Sequence, residues 1–406
     1  MKLLQINTTV NSGSTGRIAE DIGKVLMANG HESFIAYGRG DRPSQSKLIR
    51  IGNAFDVYWH GLQTLLFDRH GFASKRATKR LINYINELKP DLVHLHNLHG
   101  YYLNIHILFE ALEKFEYPVV WTFHDCWPFT GHCTYFEFES CFKWKSQCSN
   151  CPKKNFYPKS IFLDNSKRNF NAKKNLFTKI KHLTIVTPSN WLENYVKESF
   201  LQNFPVRVYH NGIDTSVFGV NENKYDEKYK RFGKYILGVA NVWTSRKGMQ
   251  DFYQLRQKID NSINIILVGL NRHQLRDLPN GVTGIHHTES VDELAALYRN
   301  AILYLNPTYQ DNFPTTNIEA LACGTPVITY NTGGSPEAVD QLTGRVVPKG
   351  DLDGIVHAIH EICSIDRDVW RKNCRARAEK HFDKNKQFLK YLQLYEEMIR
   401  NSSSKI

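Results

Sequence analysis

The chain alternates between short runs rich in β-branched residues and longer amphipathic stretches, and it does so in two series. The first series is KLLQIN from Lys2, SFIAY from Ser33, DLVHLHN from Asp91, VVWTFHD from Val119, LTIVTPS from Leu183 and VRVYHN from Val206. The second is YILGVAN from Tyr235, INIILVGL from Ile263, AILYLNPT from Ala301, TPVITY from Thr325 and GRVVP from Gly344. Near-continuous apolar runs suit strands buried on both faces, and helices between them supply the crossovers that parallel strands require. The pattern predicts an α/β protein with two doubly wound parallel sheets. With 406 residues there is chain enough for two such domains. The polar stretch Gly212 to Gly233 marks the break, giving domains 1–212 and 213–382. A last amphipathic segment, 383–406, is expected to pack back on the N-terminal domain.

Open α/β sheets bind ligands outside the C-terminal ends of their strands, so chemistry is sought in the loops there, in a crevice shared by both halves. After the first strand, Gly13, Ser14, Thr15 and Gly16 precede a helix expected to open at Arg17. Small residues in that place let backbone N–H groups approach an anion, although a plain capped turn reads equally well. The loop is not G-x-G-x-x-G, so it does not support a dinucleotide fingerprint. Two more strands end in His94, His96 and Asn97 and in His124 and Asp125. In the second half Arg246 and Lys247 follow YILGVAN at a helix start, with Gly248 beside them, a pairing suited to clamping a diphosphate. Asn312, Phe313, Pro314, Thr315 and Thr316 lead into another helix between Asp311 and Glu319. Glu319, read onto the first turn, is placed to accept hydrogen bonds from two ribose hydroxyls, and Asp311, outside the helix, to face a sugar.

The balance of 52 basic against 40 acidic residues, a net +12, points to anionic partners and says nothing of fold. Between Lys143 and Lys181 stand eleven Lys or Arg residues and one acid, Asp164. Trp144, Phe156, Tyr157, Phe162 and Phe170 interleave with them, as in a surface that meets lipid headgroups. No apolar run is long enough for a membrane helix, and MKLLQINTTV lacks the apolar core of a signal peptide. The expectation is a cytoplasmic protein, peripheral on the inner face of the cytoplasmic membrane. A nucleic-acid-binding module would need a reading element, and no helix-turn-helix, zinc-finger or RNP pattern is present.

Four of the eight cysteines, Cys133, Cys141, Cys148 and Cys151, fall in the array C-x7-C-x6-C-x2-C. In a reducing compartment four thiolates suit a closed tetrahedral zinc site, here pinning an insertion at about 126–181 in the N-terminal domain. Unpaired thiols or a redox pair are the alternatives, with His132 or Cys126 as substitute ligands.

Asp311 to Glu319, followed by EALACGTPVI and NTGGSPEAV, resembles the donor-site signature of glycosyltransferase family 4, retaining enzymes of GT-B fold. The Gly-containing loop after the first strand, HD after VVWTF, TPSNW at Thr187, HNGID at His210, RKG at Arg246 and the long terminal helix extend the resemblance over nearly the whole chain. It implies two Rossmann-like domains facing a central cleft, with a nucleotide-sugar bound there. Glu319 would lie on the ribose, Arg246 and Lys247 on the diphosphate together with Gly16, and His124 near the transferred sugar. Asp311 and the run Asn312 to Thr316 would contact the donor sugar and nucleotide. The implied reaction is hexosyl transfer with retention, from a UDP-sugar in preference to a GDP-sugar, onto a lipid-linked saccharide in surface polysaccharide biosynthesis. That chemistry needs no cofactor or catalytic metal, leaving zinc a structural role. A GT-B isomerase or phosphorylase is the alternative. The chain departs from the family pattern at Asp311, one methylene shorter than the usual Glu, at Asn241, where a second Arg is common, and at Pro314, where Gly is common.

Overall fold

Each strand-like run forms a strand, and two more join them. The computed structural model describes residues 1–403. The strands are β1 Lys2–Asn7, β2 Glu32–Tyr37, β3 Lys47–Arg50, β4 Leu92–Leu95, β5 Val119–Thr122, β6 Leu183–Thr187 and β7 Val206–Val208, then β8 Tyr235–Val239, β9 Asn264–Val268, β10 Val282–Ile285, β11 Leu303–Asn306, β12 Val327–Tyr330 and β13 Gly344–Val347. They make a seven-stranded sheet, β3-β2-β1-β4-β5-β6-β7, and a six-stranded sheet, β10-β9-β8-β11-β12-β13. Every pairing in both is parallel. The two added strands, β3 and β10, are four-residue edge strands with little buried surface.

The chain divides into two units, Met1–His210 with the chain from Phe388 onward, and Asn211–Gln387. In the first unit the helices are α1 Gly13–Ala28, α2 Ala54–Phe67, α3 Lys75–Leu88, α4 Ile105–Phe115, α5 Ser166–Phe177 and α6 Asn190–Lys197. In the second they are α7 Asp226–Lys230, α8 Met249–Arg256, α9 Arg272–Arg276, α10 Val291–Asn300, α11 Thr315–Ala322, α12 Leu352–Ser364 and α13 Arg367–His381. A final helix, α14 Lys384–Ser403, starts in the second unit and continues in the first. Among the described residues no helix is long and apolar enough to cross a membrane.

The period of two along each strand divides the core between the sheet faces. On one face of the first sheet Leu4, Ile6, Val93, Leu95, Val119 and Trp121 pack with α3, α4 and α5. On the other Leu3, Leu92, Val120 and Val186 meet Ile18, Ile22 and Leu26 of α1 and Phe388, Tyr391 and Tyr395 of α14. Each such side chain contributes about 1.5–3 kcal/mol on burial. The second sheet alternates likewise, Leu237, Ile266 and Tyr304 to one face and Ile236, Ile265 and Leu303 to the other.

The basic segment is less open than its sequence suggests. Lys145, Lys153 and Lys181 are paired with Glu198, Glu139 and Glu116 at 2.5, 2.6 and 2.5 Å. Lys173 is buried, its ammonium donating to the carbonyls of Trp127 and Thr130 at 2.7 and 3.0 Å. Trp144 and Phe170 belong to the core, whereas Phe156, Tyr157 and Phe162 are exposed.

Candidate active site

In the second unit the chain leaves β8 and turns through a 3-10 segment, Ser245–Lys247, before α8. Gly248 at its end has φ 73°, and a Cβ there would stand 2.1 Å from the Pro307 carbonyl oxygen, so only glycine fits between this turn and the end of β11. The turn is stitched to the loop after β11 by the Tyr309 amide, which donates to the Arg246 carbonyl at 2.8 Å. Both cations then point at that loop. The Arg246 guanidinium donates to the Gln310 carbonyl, and Lys247 Nζ lies 2.5 Å from Asp311 Oδ2. Burial works against ionising Asp311, but Lys247 and Arg246 outweigh it and hold the carboxyl below its usual range. Asp311 thus touches a lysine, a contact the sequence did not indicate.

The helix α11 opens at Thr315 behind Pro314, which has φ −68° and no N–H to offer. Thr315 and Thr316 are its first two residues, where backbone N–H groups lack partners within the helix. Asn312 and Phe313 are buried, and the Phe313 ring packs 5.8 Å from that of Phe382. Phe313 is therefore a core side chain that can offer a ligand only its backbone. Glu319 is the fifth helical residue, one turn deeper than expected, and is 8% exposed. Its Oε2 accepts a hydrogen bond from the Tyr298 hydroxyl at 3.0 Å. Beneath the helix, Asn306 Nδ2 donates to Asn317 Oδ1 at 2.7 Å, and Asn317 Nδ2 donates to the carbonyl and hydroxyl of Ser335 at 3.1 and 3.0 Å. Those bonds fix the helix against β11, so the Asp311-to-Glu319 loop rests on a rigid base. Tyr298, Asn306 and Asn317 had no signal in sequence, because each acts across a fold contact rather than within a motif.

In the first unit α1 opens at Gly13, four residues before the expected Arg17. With Ser12 as N-cap, the backbone donors left open are those of Gly13, Ser14 and Thr15. Gly16 comes after them and is needed for packing, since a Cβ would stand 2.8 Å from Thr9 Oγ1.

The strand ends after β4 and β5 build a relay. Gln5 Nε2 donates to the Ala19 carbonyl at 2.8 Å, which turns Gln5 Oε1 toward His96 Nε2 at 3.0 Å. His96 must then carry its proton on Nε2 and present Nδ1 as an acceptor, so His124 Nε2–H donates to it at 3.1 Å. Burial holds His124 down to about 4, so the ring is neutral at neutral pH and its Nδ1 offers a lone pair. Beside it Asp125 accepts from His99 Nε2–H at 2.7 Å and from the Trp127 amide at 2.9 Å. The Tyr157 hydroxyl reaches His99 Nδ1 at 3.0 Å, bringing the insertion into this group. His94 is used structurally, bonded to Thr122 at 2.8 Å and to Tyr395 at 2.7 Å.

Cys133, Cys141, Cys148 and Cys151 line one small pocket with His132. Cys133 is hydrogen-bonded to Cys151; that contact and burial push Cys133 up, while the same contact, helped by His132 and against the effect of burial, draws Cys151 down to about 7. Cys148 Sγ instead accepts from the Gly131 amide at 3.2 Å. Among the described residues no group of three or more His, Cys, Asp or Glu side chains is placed to hold a metal ion. One thiol pair, Cys133 with Cys151, and one thiol taken by a backbone amide, Cys148, are what this arrangement shows, and it gives the zinc expectation no support.

The sequence places this chain among the glycosyltransferases. The chain belongs to glycosyltransferase family 4, whose family model matches residues 15–217, while the model for glycosyl transferases group 1 matches residues 233–364. Its fold is GT-B. It is similar to the putative colanic acid biosynthesis glycosyl transferase WcaC of Escherichia coli K12, 24% identical over 369 residues, 87% of this chain and 88% of that protein. The N,N'-diacetylbacillosaminyl-diphospho-undecaprenol alpha-1,3-N-acetylgalactosaminyltransferase of Campylobacter jejuni is 26% identical over 51% of this chain and 60% of its own length. Among solved structures, Anabaena HepE in complex with UDP aligns over 98% of this chain and 100% of its own with a TM-score of 0.69 and 14% identity.

Proposed function

We propose that this glycosyltransferase moves a sugar, with retention, from a nucleotide-sugar, a UDP-sugar in preference to a GDP-sugar, onto a lipid-linked saccharide during surface polysaccharide assembly. The observation that carries the reading is the pair Arg246 and Lys247, set on the Gly248 turn and gathered against Asp311 at the end of β11. The UDP of the HepE complex, the colanic acid pathway of WcaC and the diphospho-undecaprenol acceptor of the Campylobacter enzyme support it by analogy.

In this reading the bond between the anomeric carbon and the diphosphate breaks, its electron pair leaving with the diphosphate. Arg246 and Lys247 stabilise the growing negative charge without reorganising, the main contribution expected of a preorganised site. Lys247 exchanges Asp311 for a phosphate oxygen, and Asp311 is released to accept from a sugar hydroxyl. Glu319, held by Tyr298, accepts from the ribose. The neutral His124 accepts from a hydroxyl of the sugar. The acceptor oxygen bonds to the anomeric carbon on the face the diphosphate leaves, and its proton passes to a phosphate oxygen. The enzyme works peripherally at the membrane, where its acceptor resides.

The test is transfer of labelled sugar from a panel of UDP- and GDP-sugars into a bacterial lipid extract. Label entering the lipid fraction with a UDP-sugar is the expected result, and an α-linked product would establish retention. Hydrolysis alone, or no reaction with the whole panel, would overturn the reading.

A further inference from the structure

A cavity of about 380 Å³ opens on the first unit, away from every residue assigned above to the donor. Its wall includes Arg69, Lys75, Lys79 and Arg168 and contains no Asp or Glu. None of these four side chains has an ion-pair or hydrogen-bond partner among the described residues, unlike Lys145, Lys153 and Lys181 nearby in sequence. Four like charges around one concavity repel one another, the more strongly the closer they stand. Glu110 pairs with His106 and Asp68 accepts from the Asn165 amide at the cavity's edge, but neither reaches the four cations, and a fold that keeps those together without pairing them leaves a place for an anion. The N-terminal turns of α3, α4 and α5 also border the cavity, adding the partial positive charge of three helix ends.

The remaining wall mixes the apolar Phe72, Ile107 and Ala172 with the polar Asn104, His106, Asn165 and Asn169. Just outside it the chain exposes Phe67, Ile161, Phe162 and Leu163 at 47%, 46%, 68% and 46% of their surface. They belong to the same rim. Asn165, which lines the cavity, donates to the Phe67 carbonyl at 2.7 Å, and the Ile161 amide donates to the Leu65 carbonyl at 2.8 Å. A cationic cavity with an exposed apolar rim matches a molecule that is anionic at one end and hydrocarbon at the other.

We infer that this cavity binds the diphosphate headgroup of the lipid-linked acceptor, with Arg69, Lys75, Lys79 and Arg168 on the phosphates and the Phe67 and Ile161 to Leu163 rim on the lipid. The assignment rests on the lipid-acceptor reading above and names the part of this chain that would serve it. It places the acceptor's phosphates in a cavity that shares no residue with the donor's.

The test uses the full chain with UDP in excess, so that the donor side is filled. Inorganic diphosphate is titrated by calorimetry, and co-sedimentation is measured with phosphatidylcholine vesicles that are plain, contain a polyprenyl diphosphate, or contain phosphatidylglycerol. Wild type should bind inorganic diphosphate and prefer the polyprenyl diphosphate vesicles. The double variant Lys79→Ala, Arg168→Ala, altered at exposed positions, should weaken both by tenfold or more and keep the thermal shift given by UDP. The exchange Lys79→Arg, Arg168→Lys should restore binding. Unchanged binding in the alanine variant would overturn the proposal. So would inorganic diphosphate binding with no preference among the vesicles, which would mark a free-anion site, and so would equal binding to phosphatidylglycerol vesicles, which would mark general attraction to charged membranes. Loss of the UDP shift in wild type would count against the donor reading and leave this one standing.

Discussion

Lys247 Nζ and Asp311 Oδ2 meet at 2.5 Å, so the cation assigned to the leaving diphosphate is held by the carboxylate assigned to the sugar. The two side chains are only 22% and 16% exposed, and the Lys247 ammonium helps keep the Asp311 carboxyl charged against the effect of burial. On the proposed reading a donor diphosphate competes with Asp311 for the lysine, so that binding would rearrange the pair and free the carboxylate for the sugar.

Replacing Asp311 by Asn removes that competition. The variant should lose about 1–3 kcal/mol of stability, because Lys247 is left partly buried without its partner. UDP should stabilise it more than it stabilises wild type, while sugar transfer falls at least tenfold. Thermal unfolding with and without UDP, beside a transfer assay, measures both. A smaller UDP shift in the variant would contradict the exchange.

Glu319 has two duties that two substitutions separate. Glu319→Gln retains an oxygen for the Tyr298 hydroxyl, so stability should change little, while loss of the charged acceptor costs about 1.5–3 kcal/mol of nucleoside diphosphate binding. Glu319→Ala should in addition destabilise the unit by about 1–3 kcal/mol, since a buried hydroxyl loses its acceptor. Calorimetric UDP titration and denaturation curves distinguish the two effects, and equal UDP affinity in all three proteins would remove Glu319 from the site.

Gly248→Ala should cost about 2–4 kcal/mol, because alanine at φ 73° is strained and its Cβ collides with the Pro307 carbonyl. UDP binding should weaken more than stability alone explains, as the shifted turn carries Arg246 and Lys247 with it. Denaturation midpoints and UDP affinities of the purified variant measure this, and a neutral outcome would mean that the turn is not a fixed platform.

Acid should attack the first unit. Burial depresses His124 to about 4 and His60 to about 3, and depresses His70, His94 and His96 well below their ordinary value of 6.5. A histidine whose folded pKa is lowered binds protons more readily when unfolded, so stability is full above about 6.5 and falls as pH drops toward the folded value. Each such group contributes a slope of up to about 1.4 kcal/mol per pH unit within that window. His132, raised by Asp68 against the effect of burial, works in the opposite direction. All these histidines lie in Met1–His210, so unfolding followed from pH 7.5 to 4.5 should show that unit melting first.

The alternating strands and the two parallel sheets they form were legible in sequence, since burial on both faces of a parallel sheet writes itself into consecutive residues. The edge strands β3 and β10 were not, having no second face to bury. Nor was the use made of Asp311, because its partner Lys247 lies 64 residues away and the meeting depends on β8 lying beside β11. Gly16 shows a different limit. Its spacing suggests a phosphate loop, but whether a glycine donates to a ligand or gives space to Thr9 depends on where the helix begins. The cysteine spacing stated only that four thiols would be neighbours, not that they would converge on one point.

The orientation of a single amide, Gln5, decides how His124 faces solvent, because the Ala19 carbonyl takes its nitrogen and the oxygen sets the proton pattern of both imidazoles. A hydroxyl reaching that ring would meet a lone pair, so on the proposed reading His124 favours sugars that bring a hydrogen and disfavours deoxy or fluorinated analogues at that carbon. Selectivity for a hydroxyl would then originate on the first strand, two imidazole rings away from the sugar.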